Sequence, residues 1–337
     1  MPEAPPLDAL LVLPRLRIQS ANAISSPLTW GFPSMTAFVG LMHALQRRLP
    51  ADLRLKLHGV GVICHHFEAQ ATRDGYVHTF HLTRNPVDKD GSTAAIVEEG
   101  RIHLEVTLVF GATGGAATAA DQGQRDHVAA TAADVLAGMR VAGGSVLPPP
   151  DKSTRHGAPR LVPLGSDPAD RVRQFRQLRR TWVPGFALVS RDDLLLQRAA
   201  ELSATQPDAS LLDAWLDSCR LKHRAEQSST TDAKTGAHTV TVEWSIARAK
   251  GWIVPIPVGY GALSAVLAPG TVQSARDDGV PFRFVESLYS LGQWISPHRL
   301  QSAQDLLWSG HTDAERGLYR CVNSFAGAPA PFVPLDD

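Results

Sequence analysis

The run Arg101 to Phe110, RIHLEVTLVF, restricts the fold more than any other segment of the chain. Ile102, Leu104, Val106, Leu108 and Phe110 alternate with Arg101, His103, Glu105 and Thr107. A strict two-residue period puts one set on each face of a β-strand. Such a strand belongs in a sheet with a core on one side and water or a ligand on the other. Residues 9–19 and 57–70 read as further strands. In 9–19, Leu16 and Ile18 alternate with Arg15, Arg17 and Gln19, which aims two arginines at one face. Pro14 inside that run implies a bulge or a late start, because proline cannot donate to a ladder.

Between the first two strands lies ANAISSPLTWGFPSMTAFVGLMHALQRRL, residues 21–49. Its first half is a loop carrying Ser25, Ser26, Thr29, Trp30 and Phe32. Its second half is a helix. Ser34 suits the N-cap, Met35, Phe38, Met42, Leu45 and Leu49 form one apolar stripe, and Arg47 and Arg48 suit the negative end of the dipole. Free amides at a helix start favour an anion such as phosphate. An ordinary capped helix with Trp30 and Phe32 in the core explains the same residues. A second helix reads over 125–139. The short strand Arg140–Leu147 follows, broken by Gly143-Gly144, a pair that marks close approach by another backbone or a ligand.

The order strand, helix, strand, excursion, strand, helix, strand predicts an α+β fold. Its core, residues 7–148, is ferredoxin-like or RRM-like βαββαβ, an antiparallel sheet with helices on one face. Residues 71–100 carry three turn signals and read as a thumb-like hairpin insertion. Residues 149–337 read as a mixed helix and strand extension. In it, 171–182 is a helix with Arg173, Arg176, Arg179 and Arg180 on one side. Residues 191–224 contain a helical stretch. Residues 225–239 lack apolar content and are expected to be a disordered loop. Short strands are expected over 240–247 and 252–258, and helices over 282–295 and 299–308.

Composition excludes little but helps. The chain has 337 residues and is 44% hydrophobic, enough for one large or two modest domains. Its 33 basic and 33 acidic residues cancel, so any nucleic-acid role must rest on local patches. Of the basic residues 27 are arginine, which fits phosphate and base recognition or merely a GC-rich genome. Cys64, Cys219 and Cys321 lie far apart, without metal-ligand spacing, and suit a reducing cytoplasm. No signal peptide, membrane span, metal set or cofactor motif is expected. His65 and His66 are neighbours in a strand and serve one site only if a bulge intervenes. A metal-independent ribonuclease needs no motif legible in a sequence and stays open as an alternative.

The phrases LPRLRIQSANAISSPLTWGFPSMTAFVGLMHALQRRL, GVGVICHHFEAQ, LTRNP, DGSTAAIVEEGRIHLEV, MRVAGGSVLP, WVPGFALVSR, VPIPVGYGALS and FVESLYSLGQWISPHRL closely resemble one family. It is the smaller capping subunit of the type I-F CRISPR surveillance assembly, the Csy complex. The resemblance implies a non-catalytic member of the repeat-associated RNA-binding superfamily. Such a subunit holds the 5′ handle of the guide RNA, pairs with the large PAM-reading subunit and abuts the first backbone subunit. It meets target DNA near the PAM only indirectly. On this reading Ser25, Ser26, Trp30 and Ser34 offer handle contacts beside the first helix, and Arg15 and Arg17 line the sheet. Arg84 and Asn85 sit in the thumb, Gly143, Gly144 and Ser145 form the glycine-rich turn, and Arg173 and Arg176 add positive charge.

Overall fold

A computed structural model of the chain describes residues 7–325, save 76, 84–86, 88–89, 94–96, 149–156, 221, 232–237, 248–250 and 276. The first half runs β1 (Ala9–Asn22), α1 (Met35–Arg48), β2 (Lys56–Ala69), β3 (Arg101–Thr113), α2 (Gln122–Ala137) and β4 (Gly144–Leu147). The second half runs α3 (Pro168–Arg179), β5 (Phe186–Ser190), α4 (Asp192–Ser203), α5 (Leu211–Cys219), β6 (Lys222–Thr231), β7 (His238–Ala247), β8 (Trp252–Ala262), β9 (Val285–Ile295), α6 (Ala303–Leu306), β10 (Trp308–Asp313) and β11 (Leu318–Asn323). The architecture is α+β.

One antiparallel sheet carries both halves. Its order is β4-β1-β3-β2-β5-β9-β8-β11-β10, with Arg140–Val141 beside β4 and Arg160–Pro163 beside β1. The sequence boundary at 148/149 therefore does not divide the sheet. β5 joins the halves through only two registered pairs, Phe186 with Cys64 and Ala187 with Ile63. A single pairing of Trp308 with Val60 brings the far end of the sheet back onto β2.

Alternation along β1 and β3 divides the core. Leu11, Leu13, Val106, Leu108 and Phe110 pack under α1 and α2, which supply Phe38, Met42, Leu45, Val128 and Leu136. Leu10, Val12 and Val109 face the other way and are covered by Phe175, Leu178 and Trp182. Each such side chain, fully buried, contributes about 1.5–3 kcal/mol. Both helices start as their sequences dictate: Ser34 Oγ accepts from the Thr36 amide at 3.3 Å, and Asp121 accepts from the Gln124 amide at 2.8 Å. β1 bulges between Leu13 and Leu16, where Pro14 interrupts donation, and Arg15 takes φ 51°.

Three expectations fail in the second half. Residues 282–295 contain β9, not a helix. β9 is covered on both faces, with Leu288 and Trp294 on the α1 side and Tyr289 and Leu291 on the other, so its apolar residues do not alternate. Their three-residue spacing imitates a helix. Of 299–308 only Ala303–Leu306 is α-helical, and Trp308 already starts β10. Residues 225–231 and 238–239 are not loop; they belong to the β6–β7 hairpin, paired from Lys222 with Ala247 to Thr231 with His238. That hairpin is a sheet of its own, so it needs no apolar core face, and its serines and threonines suit extended backbone. The helical stretch within 191–224 is two helices, α4 and α5.

Candidate nucleic-acid interface

The polar face of β3 is satisfied within the chain. Arg15 Nη1 donates to Glu105 Oε1 at 2.7 Å, and Arg101 pairs with Glu99. The His103 ring lies between the Ser20 amide at 3.1 Å and the Gln70 amide group at 2.8 Å. His65 donates from Nδ1 to the Pro184 carbonyl at 2.6 Å and meets Thr107 Oγ1 through Nε2 at 2.8 Å. The Pro184 contact fixes the tautomer. Arg17 and Ser145 lie exposed on the same face, across from Glu105 and Gln19 respectively. Arg15 and Arg17 thus share a face as predicted, but Arg15 is committed to a carboxylate.

The loop before α1 is a built structure rather than a free one. Ile24–Ser26 pairs with Thr29–Trp30. Ser25 and Ser26 both place their hydroxyls on Thr29 Oγ1, at 2.8 and 2.7 Å, and Ser26 is buried. These two serines therefore shape the turn, with Ser25 the more open. Trp30 projects from it, 48% exposed, edge-on to Phe80 at 5.4 Å and tilted on His78 at 5.8 Å. It joins the loop to the hairpin Ala71–Asp74/Val77–Phe80. Phe32 instead stacks on Phe38 at 5.7 Å and meets the Trp294 ring edge at 4.8 Å. The two aromatics of the loop divide: one is core, one is surface.

Behind Trp30 opens a cavity of about 430 Å³, at the seam where β5 ties the halves together. Ser25, Ser34, Cys64, His66, Leu188 and Ile256 line it, with Pro255 and Pro257 on the β8 side. A register shift between Cys64 and His66 supplies the bulge that lets His65 and His66 reach the same cavity. Aromatic rings ring the mouth. Phe67, Trp252 and Phe186 are 52%, 45% and 43% exposed, and Phe186 meets Trp252 edge-on at 5.3 Å. Burial pushes the Cys64 thiol up to about 12, with the Glu105 charge adding to it against a hydrogen bond to the His66 carbonyl. The thiol is not a nucleophile at neutral pH. Sequence reasoning missed this cavity, because its rings come from strands far apart in the chain.

The remaining candidates lie elsewhere. Gly143, φ 81°, and Ala142, φ 48°, form a two-residue turn between Val141 and Gly144, and a Cβ on Gly143 would meet open space. Gly144 is different: its Cβ would lie 2.8 Å from both the Ala21 nitrogen and the Gln19 oxygen, so its close neighbour is β1. Arg173 pairs with Asp170 at 2.7 Å and Arg176 is exposed, both on α3, across the sheet from α1. Arg84 and Asn85 lie outside the described residues; around them Leu82–Thr83 pairs with Val97–Glu98. Among the described residues no cluster of three His, Cys, Asp or Glu side chains could hold a metal ion, and no helix is long and apolar enough to cross a membrane.

The family described as CRISPR-associated protein (Cas_Csy2) matches residues 11–321 of this chain. A relative, the CRISPR-associated protein Csy2 of Pseudomonas aeruginosa (strain UCBPP-PA14), is 48% identical over 315 residues, covering 93% of this chain and 94% of the relative.

Proposed function

The chain belongs to the Csy2 family of CRISPR-associated proteins, a type I-F Csy protein, and from that premise we propose that it holds the 5′ handle of the guide RNA. The observation that carries this reading is the open, aromatic-rimmed cavity beside Trp30 and the start of α1. Unpaired nucleotides are recognised by stacking on exposed rings, and their phosphates by guanidinium groups and free amides. β1–α1–β2–β3–α2–β4, ordered β4-β1-β3-β2, is a ferredoxin-like core in this reading, with 71–100 as its thumb. Sequence choice in the target then comes from guide pairing, not from this chain.

The subunit is non-catalytic in this proposal. His65 and His103 have both ring nitrogens engaged, which leaves neither poised as a general acid or base. It works in the cytoplasm, paired with the large PAM-reading subunit and against the first backbone subunit, and touches target DNA only through them. Fluorescence anisotropy with a labelled handle oligonucleotide tests RNA binding. Affinity that falls with salt is expected, because phosphate contacts release counterions; a flat response favours a protein-only scaffold. Incubation with full-length repeat RNA tests the absence of catalysis: metal-independent cleavage within the repeat overturns it.

A further inference from the structure

We propose that the cavity takes one unstacked nucleobase bearing an exocyclic amine, adenine above all, and selects it against uracil. The inference rests on the RNA-holding reading and names what that site recognises. The volume, about 430 Å³, falls within the range that accepts small flat ligands. Phe67, Phe186 and Trp252 stand at the mouth with their rings part exposed, and stacking on such rings is tolerant of base identity. Selection must come from the polar groups.

Those groups are acceptors on the β8 side. β8 pairs with β9 along its length, but with β11 only over Gly259–Gly261. The other edge of Trp252–Pro257 therefore has no strand partner among the described residues. Pro255 and Pro257 have no N–H, so that edge offers carbonyls without the donors that normally accompany them. Ser34 Oγ lies 3.5 Å from the Pro257 carbonyl, which places this oxygen on the side of α1 and the cavity. Pro255 is two residues away, and a two-residue period gives its carbonyl the same direction. The Ser25 hydroxyl is already committed to Thr29. A base that donates through an amine satisfies these oxygens. Uracil turns two carbonyls toward them and leaves buried acceptors unpaired.

The test uses the full chain and three labelled eight-nucleotide strands read by anisotropy. One is all uridine, one carries a single central adenosine, and one carries purine riboside there, which keeps the ring and deletes the amine. The adenosine strand should bind about tenfold tighter than the purine riboside strand. Trp252→Ala and Val254→Trp, the second filling the cavity, should each erase that difference; circular dichroism checks that each variant is folded. Equal affinities for all three strands overturn the base pocket and leave RNA holding intact, as does a difference that survives both variants, which would give the cavity to a protein partner. No binding to any strand overturns the RNA reading as well.

Discussion

Gly143 and Gly144 are adjacent and irreplaceable for opposite reasons, which makes them a sharp test of the structural argument. A methyl group on Gly143 meets nothing within 4 Å, but the backbone sits at φ 81°. Gly143→Ala therefore costs only left-handed strain, about 1–2 kcal/mol. Gly143→Asn should recover much of it, since asparagine tolerates that region. Gly144 has no such φ. Its Cβ would sit 2.7 Å from Ile18 Cγ2 and 2.8 Å from two backbone atoms of β1, which cannot step aside as a side chain tip can. Gly144→Ala should cost about 1–3 kcal/mol through overpacking, and Asn or Ser there should be worse. Ala142, at φ 48°, carries the strain glycine would relieve, so Ala142→Gly should stabilise by about 0.5 kcal/mol. Urea unfolding followed by tryptophan fluorescence measures all four. A Gly143→Asn variant as unstable as Gly143→Ala, or a Gly144→Ser variant milder than Gly144→Ala, refutes the reasoning.

Trp30→Ala should lower handle affinity by about 1–3 kcal/mol while the circular dichroism spectrum stays native; loss of folding would mean that the ring is core. Asp217 is buried and accepts from Arg198 at 2.6 Å and Lys222 at 2.7 Å, with Arg220 beside it, so Asp217→Asn should destabilise by about 1–3 kcal/mol in thermal melts, discounted because the partners are part exposed. Burial, then Lys56, lowers the His58 pKa against the opposing pull of Asp8. Its stabilisation is therefore complete above the unfolded value of about 6.5 and is lost as pH falls through the lower folded value. His58→Gln should flatten that acid limb between pH 7.5 and pH 5.

Where the chain obeys one local rule, the sequence was enough. β3 has a covered face and a polar face, so its alternation reads directly. α1 has its cap, stripe and terminal arginines in order. β9 resisted because both its faces are covered, which removes the period that distinguishes strand from helix. The β6–β7 hairpin resisted because it stands apart from the main sheet and carries little apolar content on β6. Site residues divided in the same way. Ser34 caps the helix as its position implies, whereas Ser25 and Ser26 turned inward to Thr29, a pairing that no spacing rule would reveal. The cavity depends on Trp252, Phe186 and Phe67 meeting through β5, and a contact of that sequence separation leaves no local trace.

The ion pairs also bound how this chain can bind RNA. Arg15 is spent on Glu105 and Arg173 on Asp170, while Arg17 and Arg176 are exposed with no ion pair among the described residues. Arg176 lies across the sheet from the cavity, on α3. A strand that follows the loop before α1 therefore meets few uncommitted cations. With about two or three phosphates neutralised, the slope of log affinity against log salt for a single strand is about −1.5 to −2, since each contact contributes about −0.7. Most of the affinity must then come from stacking, which salt barely touches. That division agrees with a chain of zero formal net charge. A measured slope steeper than about −4 would mean that the phosphates run over a basic surface other than the one beside Trp30, and the cavity would lose its place as the centre of the site.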